Sequence, residues 1–266
     1  MTRGFLRTGR SAEAFALQGG FVRRILFRWG SISIYSYPAM LYLGIVFGIY
    51  AQLYAALSSR LNIMRTLTAT ILLLTTALLG ARLLFVTRNW RAYREHPRRI
   101  WRFADGGASM YGGLLLALPF SLPSLAVLEI PFGGFWDVAS FTMLVGMIIT
   151  RFGCFLNGCC AGRPTSGWFG LNLPDCEGVW RRRIPVQILE AAWGMVVLAG
   201  AVTLWGRLPF EGALLLYTVG AYGAGRIVLE YARNKQDRVM GISLPRAIST
   251  VFVTVSLVAF AISWWS

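Results

Sequence analysis

Seven stretches of this sequence are each long and apolar enough to cross a lipid bilayer, and they restrict the fold more than any other feature. They cover residues 37–57, 66–86, 110–128, 130–150, 184–205, 213–231 and 244–265. A bilayer core of about 30 Å requires about 20 helical residues per crossing. The apolar character is continuous rather than alternating, which favours helices over a β-barrel. Because 56% of the residues are hydrophobic and only 14% are charged, we predict an all-α, polytopic membrane protein with seven transmembrane helices.

The residues before the first apolar stretch form a basic arm. Its segment "FALQGGFVRRILFRWG" mixes apolar residues with arginines, a pattern typical of an amphipathic helix in the headgroup plane. A disordered basic tail is the alternative. The apolar stretch that begins near Tyr37 is longer than a signal-peptide core of roughly 7–15 residues, so we predict an uncleaved span. We therefore expect an N-terminal interfacial arm at 1–36 and a seven-helix domain at 37–266.

The net charge of +15 is concentrated in the loops between the predicted spans. In a seven-span bundle, twenty basic residues fall on one side, and only Arg60, Arg65 and Arg207 fall on the other. They are not in a soluble domain with interleaved aromatic residues, so we expect anionic membrane lipid as the partner and no nucleic acid. The positive-inside rule alone places the basic face in the cytoplasm.

Ionisable residues inside the predicted spans are candidates for function, because charge at membrane depth is costly. Arg226 and Glu230 are four residues apart and can pair within one helix, which is also the purely structural interpretation. Gln187 and Glu190 share a face of another helix. Glu190 has no cation in its own segment, so it pairs with Arg226 or Arg151 or stays protonated.

The segment "ADGGASMYGG" surrounds Tyr111 with glycines at the start of the third predicted span. Gly112 and Gly113 allow a close approach of backbone or ligand. An aromatic belt residue beside a helix-packing patch is the alternative interpretation.

The segment "RFGCFLNGCCAGRPT" at residues 151–165 follows the fourth predicted span. Arg151 and Arg163 can bind phosphate bidentately, and Gly153, Gly158 and Gly162 allow a tight backbone whose N–H groups point at an anion. We therefore predict a phosphate pocket at the membrane interface.

The four cysteines leave several possibilities open. Their pattern, C-x4-C-C-x15-C, lacks the paired spacing of zinc sites, and the only histidine is His96, so we expect no metal. A disulfide from Cys159 or Cys160 to Cys176 is plausible if this face is extracytoplasmic, whereas free thiols are expected in the cytoplasm. A catalytic cysteine nucleophile would lack a nearby histidine base.

Several of these motifs, in order, resemble those of the bacterial prolipoprotein diacylglyceryl transferases. The family signature runs close to G-R-x-G-N-F-x-N-x-E-x-x-G-R-x-T, and the matching positions are Arg151, Gly153, Phe155, Asn157, Gly162, Arg163 and Thr165. Further similar segments are "YPAM", "GARLLFV", "DGGASMYGG", "IPVQILEA", "YGAGRIVLEYAR" and "GISLPRAIS", so the resemblance covers most of the chain from about residue 35.

The resemblance implies transfer of the diacylglyceryl group from phosphatidylglycerol to the lipobox cysteine of a prolipoprotein, with glycerol phosphate released. It implies a multi-pass protein of the bacterial plasma (inner) membrane, with the N-terminus and the active, basic face outside. It also implies phosphatidylglycerol and prolipoprotein signal peptides as partners. We expect no cofactor and a monomer.

The resemblance and the chemistry together assign the candidate site residues. The catalytic candidates are Arg151, Arg226, Glu230, Tyr111 and Tyr37. The substrate-binding candidates are Asn157, Gly158, Gly162, Arg163, Gln187, Glu190, Gly112, Gly113 and Cys154. Tyr111 stands where the family commonly has histidine, Cys154 and Cys159 stand in place of asparagine and glutamate, and Ile184 replaces a second histidine. The catalytic base is therefore unassigned.

Two other functions remain as alternatives. A lipid or solute transporter would use buried Arg226, Glu190 and Glu230 to line a path, although the sequence contains no visible internal repeat. A divergent, non-catalytic relative would bind anionic lipid or signal peptides without turnover.

Overall fold

The protein is described by a computed structural model, which covers residues 22–30, 32–94, 100, 110–174, 178–233, 238–239 and 242–265. The helices in this part of the chain are α1 (Ser36–Ser58), α2 (Ile63–Arg88), α3 (Trp90–Arg94), α4 (Met110–Val127), α5 (Phe132–Asn157), α6 (Val186–Leu204), α7 (Ala213–Glu230) and α8 (Leu244–Trp265). All but the short α3 coincide approximately with the seven predicted stretches, although α5 continues seven residues beyond the predicted end at residue 150. The helical class is confirmed.

Five of these helices are long and apolar enough to cross a membrane: Ser36–Ser58, Ile63–Arg88, Phe132–Asn157, Val186–Leu204 and Pro245–Trp265. A shorter apolar helix covers Gly112–Val127. Only 11% of the most apolar window of α8 is buried within the protein, so most of that helix is left to face lipid. The chain is thus a polytopic membrane protein, while the number of seven crossings stays a prediction.

Short strands connect several of the helices. They are β1 (Ile25–Trp29), β2 (Ile32–Tyr35), β3 (Leu171–Pro174), β4 (Trp180–Arg183), β5 (Arg238–Val239) and β6 (Ile242–Ser243). They form three antiparallel hairpins in chain order. The β3–β4 hairpin lies between α5 and α6, next to the motif that begins at Arg151.

The amphipathic helix predicted for residues 15–30 is wrong at Ile25–Trp29, which form β1 and pair with β2. Trp29 pairs with Ile32 across a turn in which Gly30 has φ +57°, a left-handed conformation that suits glycine. Phe27 and Trp29 alternate with Arg28 along β1, which fits the two-residue period of a strand. Residues 1–21 of the predicted arm lie outside the described part of the chain.

The chain divides into two compact units, one of residues 1–51 and 140–266 and the other of residues 52–139. The predicted boundary at residue 36 stays a prediction. In the first unit, helices approach through small residues. A Cβ on Gly44 would lie 3.0 Å from the Gly146 carbonyl oxygen, and the Thr142 hydroxyl donates to the Gly48 carbonyl at 2.9 Å. Such contacts let the α1 and α5 backbones pack closely.

The second unit is held together by a similar close approach and by a hydrophobic cluster. Gly80 of α2 faces Gly112 of α4, and a Cβ on either would clash with the carbonyl of the other. The buried cluster consists of Ala69, Leu73, Leu125, Ile130, Phe135 and Ala139. In the same unit, the amide of buried Gln52 donates to the Thr70 hydroxyl at 2.8 Å, which satisfies a polar group on an apolar helix.

Candidate active site

The loop that follows α5 turns sharply because two of its residues are left-handed. Gly158 has φ +69° and Cys160 has φ +64°. The Gly158 N–H donates to the Phe155 carbonyl at 3.1 Å, and the Cys159 N–H donates to the Cys154 carbonyl at 3.1 Å. These bonds satisfy carbonyl groups at the end of the helix and fold Cys159 and Cys160 back toward the last turn of α5.

The next part of the loop docks onto the start of α6 and the end of α7 through its backbone. The Gly162 N–H donates to the Ile184 carbonyl at 2.9 Å, and the Arg163 N–H donates to the Ala232 carbonyl at 2.8 Å. A Cβ on Gly162 would lie 2.6 Å from the Ala232 oxygen and 2.8 Å from the Ile184 oxygen. Gly162 is therefore required for this docking, and its role in substrate binding stays a prediction.

Three arginines converge on the buried carboxylate of Glu190, whose side chain is only 2% exposed. Arg151 of α5 contacts Glu190 Oε2 through Nε at 2.8 Å. Arg226 of α7 donates from Nη1 to Glu190 Oε1, and Arg233 reaches the same oxygen from Nη1 at 3.4 Å. The sequence left open whether Glu190 pairs with Arg151, pairs with Arg226 or is protonated, and the structure pairs it with both arginines.

Glu230 is the second carboxylate of this cluster. Its Oε2 lies 3.7 Å from Nη2 of Arg226 and 3.9 Å from Nε of Arg233. The pair of Arg226 and Glu230 is therefore not a self-contained pair within α7, because Arg226 also bonds Glu190 on another helix. Three guanidinium groups face two carboxylates, which leaves one surplus positive charge in a largely buried cluster. Such a cluster favours an anion.

Three cysteines form a second cluster in the same unit. The sulfur atoms of Cys154, Cys159 and Cys160 all lie within 4.8 Å of one another, and all three thiols are free. The disulfide that the sequence left open is therefore not formed by Cys159 or Cys160, and Cys176 lies outside the described residues. Hydrogen bonds from the Cys154 and Cys159 thiols, followed by the charges of Arg233 and Arg151, lower the pKa of the Cys160 thiol below its ordinary value.

Gln187 ties this cysteine loop to α6. Its side chain is buried, and its Nε2 donates to the Cys159 carbonyl at 2.6 Å. The Oε1 atom of Gln187 is buried and accepts no hydrogen bond from the described residues. An acceptor of this kind is suited to a hydroxyl group or an N–H group of a ligand.

The same unit contains three further predicted site residues, Tyr37, Asn157 and Arg163. A Cβ on Gly153 would lie 3.6 Å from the Tyr37 Cα, which places the start of α1 against the last turns of α5. The Asn157 carbonyl accepts from Nε of Arg24 at 3.3 Å. Arg163 is exposed, and its Nε donates to the Arg233 carbonyl at 3.1 Å.

The remaining predicted site residues belong to the unit of residues 52–139. Gly112 and Gly113 pack against Gly80 and Ala77 of α2, in agreement with the helix-packing interpretation, and their role in substrate binding stays a prediction. Tyr111 lies in the first turn of α4. Its side chain lies outside the described part of the chain, so its catalytic role also stays a prediction.

The sequence is similar over most of its length to proteins of one known family. The family model described as prolipoprotein diacylglyceryl transferase matches residues 24–262, from the start of the β1–β2 hairpin to within three residues of the end of α8. The chain belongs to the prolipoprotein diacylglyceryl transferase family. The resemblance recognised in the motifs is therefore confirmed over nearly the whole sequence.

Individual members of the family show the same extent of similarity. The phosphatidylglycerol--prolipoprotein diacylglyceryl transferase of Streptococcus equi subsp. zooepidemicus is 25% identical over 250 residues, which cover 89% of this chain and 93% of that protein. The protein of the same name from Trichormus variabilis is 24% identical over 259 residues, which cover 89% of this chain and 88% of the relative. The match is global, although the identity is low.

Sequence reasoning missed Arg233 as a member of the site and counted it only among the loop cations. Its signal was present, because Arg233 is the last residue of "YGAGRIVLEYAR", the segment that resembles the family motif ending in arginine. Its spacing of three residues from Glu230 also places the two on one helical face. The phenol Tyr222 was missed as well, and it interacts with Arg151.

Proposed function

We propose that this protein transfers the diacylglyceryl group from phosphatidylglycerol to the cysteine thiol of a prolipoprotein lipobox. The products are a thioether-linked lipid and glycerol phosphate. Membership of the family and the names of the relatives support the reaction. The observation that carries the proposal is the convergence of Arg151, Arg226 and Arg233 on the buried carboxylate of Glu190.

The charge of this cluster suits the phosphodiester of phosphatidylglycerol, which carries a single negative charge. Glu190 and Glu230 neutralise two of the three guanidinium groups and hold them in place, and the third charge is available to the lipid. Each guanidinium has five N–H donors, so the three groups have more donors than two carboxylates can accept. Arginine is preferred for such a role because its planar fork matches phosphate oxygens.

The same cations assist the chemical step. The acceptor sulfur forms a bond to the terminal glyceryl carbon, and the bond from that carbon to the phosphate oxygen breaks. Negative charge then grows on the leaving glycerol phosphate, where preorganised guanidinium groups stabilise it. Arg151 and Arg226 are the groups assigned to this role, and Glu190 and Glu230 orient them.

The other candidates bind and orient the substrates. Gln187 offers its Oε1 atom to a headgroup hydroxyl. Asn157 at the end of α5, and Gly158 and Arg163 in the loop that follows it, are assigned to substrate binding. Cys154, Gly112 and Gly113 are assigned to substrate binding, and Tyr37 and Tyr111 to catalysis. The acceptor thiol, with an ordinary pKa of about 8.5, must lose its proton before it attacks, and a nearby arginine eases that loss.

The proposed setting is the bacterial plasma membrane. Seven helices cross the bilayer, and the basic face that carries the Glu190 cluster lies on the extracytoplasmic side with the N-terminus. The protein acts there as a monomer on the signal peptides of prolipoproteins. The positive-inside rule predicts the opposite orientation, and this conflict makes sidedness a direct test of the proposal.

The reaction is tested by transfer of labelled diacylglyceryl from phosphatidylglycerol to a lipobox peptide, catalysed by the purified protein in nanodiscs. We expect label on the peptide with the wild-type protein and none with Arg151→Ala. Arg151→Lys keeps the charge but not the planar fork, and we expect a loss of at least tenfold. Arg207→Lys, an exposed loop substitution, is the control and should leave transfer unchanged. Bound lipid without any transfer to the peptide would favour the non-catalytic alternative.

A further inference from the structure

The sulfur atoms of Cys154, Cys159 and Cys160 are close enough together to hold a metal ion, a proximity that the spacing of the cysteines along the chain did not predict. The left-handed residues Gly158 and Cys160 fold the loop back, so that residues five and six positions after Cys154 return to its sulfur. All three sulfur atoms lie within 4.8 Å of one another. No fourth histidine, cysteine, aspartate or glutamate among the described residues joins the group.

The separation of the sulfurs fits a thiolate-bound zinc ion. Zinc–sulfur bonds of about 2.3 Å in a tetrahedral arrangement separate the sulfurs by about 3.8 Å. The sulfur–sulfur distances therefore need to shorten by about 1 Å or less, which side-chain rotation can supply. Thiolates select soft cations such as zinc and Cu(I) over magnesium or calcium. Three protein ligands and one open position are the arrangement of a catalytic zinc site rather than of a structural one.

We propose that Cys154, Cys159 and Cys160 bind a zinc ion whose open position takes the thiolate of the acceptor cysteine. This inference rests on the proposed function, because it assigns the activation of the acceptor in that same reaction. A thiol that coordinates zinc is deprotonated outright. The metal thus performs the task for which the chain has no assigned base, since Tyr111 and Cys159 occupy the positions of the usual histidine and glutamate.

The reaction balances without an oxidant or a reductant. The acceptor thiol releases its proton to water as its sulfur binds zinc. The zinc-bound sulfur then donates an electron pair to the terminal glyceryl carbon, and the bond from that carbon to the phosphate oxygen breaks. Glycerol phosphate leaves with that electron pair, and the neutral thioether, a weak zinc ligand, dissociates from the metal.

The position of the cluster fits this role. Cys154 is buried, whereas Cys159 and Cys160 are half-buried, so the open position is reached from the side of the loop. Arg151 is three residues before Cys154 on α5 and lies within electrostatic range of both Cys154 and Cys160. The guanidinium that is assigned to the phosphate is therefore within electrostatic range of the proposed zinc site, as the displacement requires.

The test begins with the metal alone. The full chain in detergent, kept reduced and stripped with a chelator, is titrated with Zn²⁺ in equilibrium dialysis, and the ligands are counted by X-ray absorption. We expect one zinc per chain with three sulfur ligands. A lipobox peptide should raise the count to four, and a peptide with serine in place of the cysteine should not. Cys160→Ser should weaken zinc binding at least tenfold, whereas Cys176→Ser, which keeps the three proposed ligands, should not.

The outcomes separate this inference from the proposed function. Ligand counting needs no lipid, so four-sulfur coordination with the peptide supports the zinc site even if no transfer occurs. Transfer that persists after removal of zinc overturns the inference and leaves the transferase proposal intact. Loss of zinc in Cys176→Ser, or preferential binding of Cu(I) in a three-sulfur site that ignores the peptide, overturns it as well. If Cys160→Ser fails to fold, the number of sulfur ligands on zinc in the wild-type protein, with and without the peptide, still tests the inference.

Discussion

The carboxylate of Glu190 lies 2.8 Å from Nε of Arg151, so α6 and α5 are joined by a buried ion pair at the motif that the family resemblance singles out. Arg226 and Arg233 share the same carboxylate. These ion pairs exist only in the folded protein, because the three arginines are far from Glu190 along the chain. Glu190 therefore orients the arginines, and its loss leaves the three guanidinium groups close together with Glu230 as the remaining carboxylate of the cluster.

We predict that Glu190→Gln strongly destabilises the protein, because it breaks a buried ion pair and leaves buried charge. The expected loss is about 3–5 kcal/mol. The control is Glu129→Gln, which removes the exposed pair of Glu129 with Arg65 at 2.6 Å and should cost about 1 kcal/mol or less. Thermal unfolding in detergent measures both variants. Equal losses of stability in Glu190→Gln and Glu129→Gln would contradict the central role of Glu190.

We predict that Arg233→Lys lowers kcat/KM for transfer at least tenfold. Arg233 reaches Glu190 from Nη1 and Glu230 from Nε, and the single ammonium of lysine lacks the fork that contacts both carboxylates. Steady-state transfer to a lipobox peptide is the measurement, with Arg207→Lys as the matched exposed substitution. An Arg233→Lys protein with wild-type kinetics would exclude Arg233 from the site.

We predict that Gly162→Ala disrupts the docking of the loop. The new methyl group would lie 2.6 Å and 2.8 Å from two backbone carbonyl oxygens, and overpacking of this kind typically costs about 1–3 kcal/mol. Gly146→Ala is the control, since its Cβ would lie at an ordinary 3.5 Å from the Gly44 oxygen. Thermal unfolding and transfer activity should both fall for Gly162→Ala only. Unchanged activity would show that the docking does not position Arg151.

We predict that Gly30→Val opens the β1–β2 hairpin, because a β-branched residue is strained at φ +57° by about 1–2 kcal/mol. Gly30→Asn should be tolerated much better. Hydrogen exchange of residues 22–35, followed by mass spectrometry, should accelerate in the valine variant and stay near wild type in the asparagine variant. Identical exchange rates in the wild type, Gly30→Val and Gly30→Asn would contradict the hairpin.

The hairpin also shows where the sequence was misleading. The segment around Phe21, Ile25 and Trp29 has apolar residues at spacings compatible with a helix face, and it also alternates around Arg28 as a strand does. A segment this short fits both periods. The turn at Gly30 and the pairing with Ile32–Tyr35 decided the outcome, and neither is visible as a periodic pattern.

The cysteines illustrate a related limit. Their spacing along the chain does not match the usual metal motifs, because such motifs assume a regular turn between ligands. The actual proximity of Cys154, Cys159 and Cys160 depends on left-handed conformations at Gly158 and Cys160. Glycine makes such a conformation plausible at residue 158, but nothing in the sequence predicts it for the cysteine at 160.

The sequence by itself determined the helical class, the positions of the long helices and the family. An apolar stretch of about 20 residues in lipid must satisfy its backbone internally, and the helix does so from local residues alone. The candidate site residues on α5, α6 and α7 were recognisable because they stand in segments that resemble the motifs of the family. Only the tertiary structure decided that Glu190 is shared by three arginines, because the partners of a buried carboxylate depend on the packing and rotation of helices that are far apart in the chain.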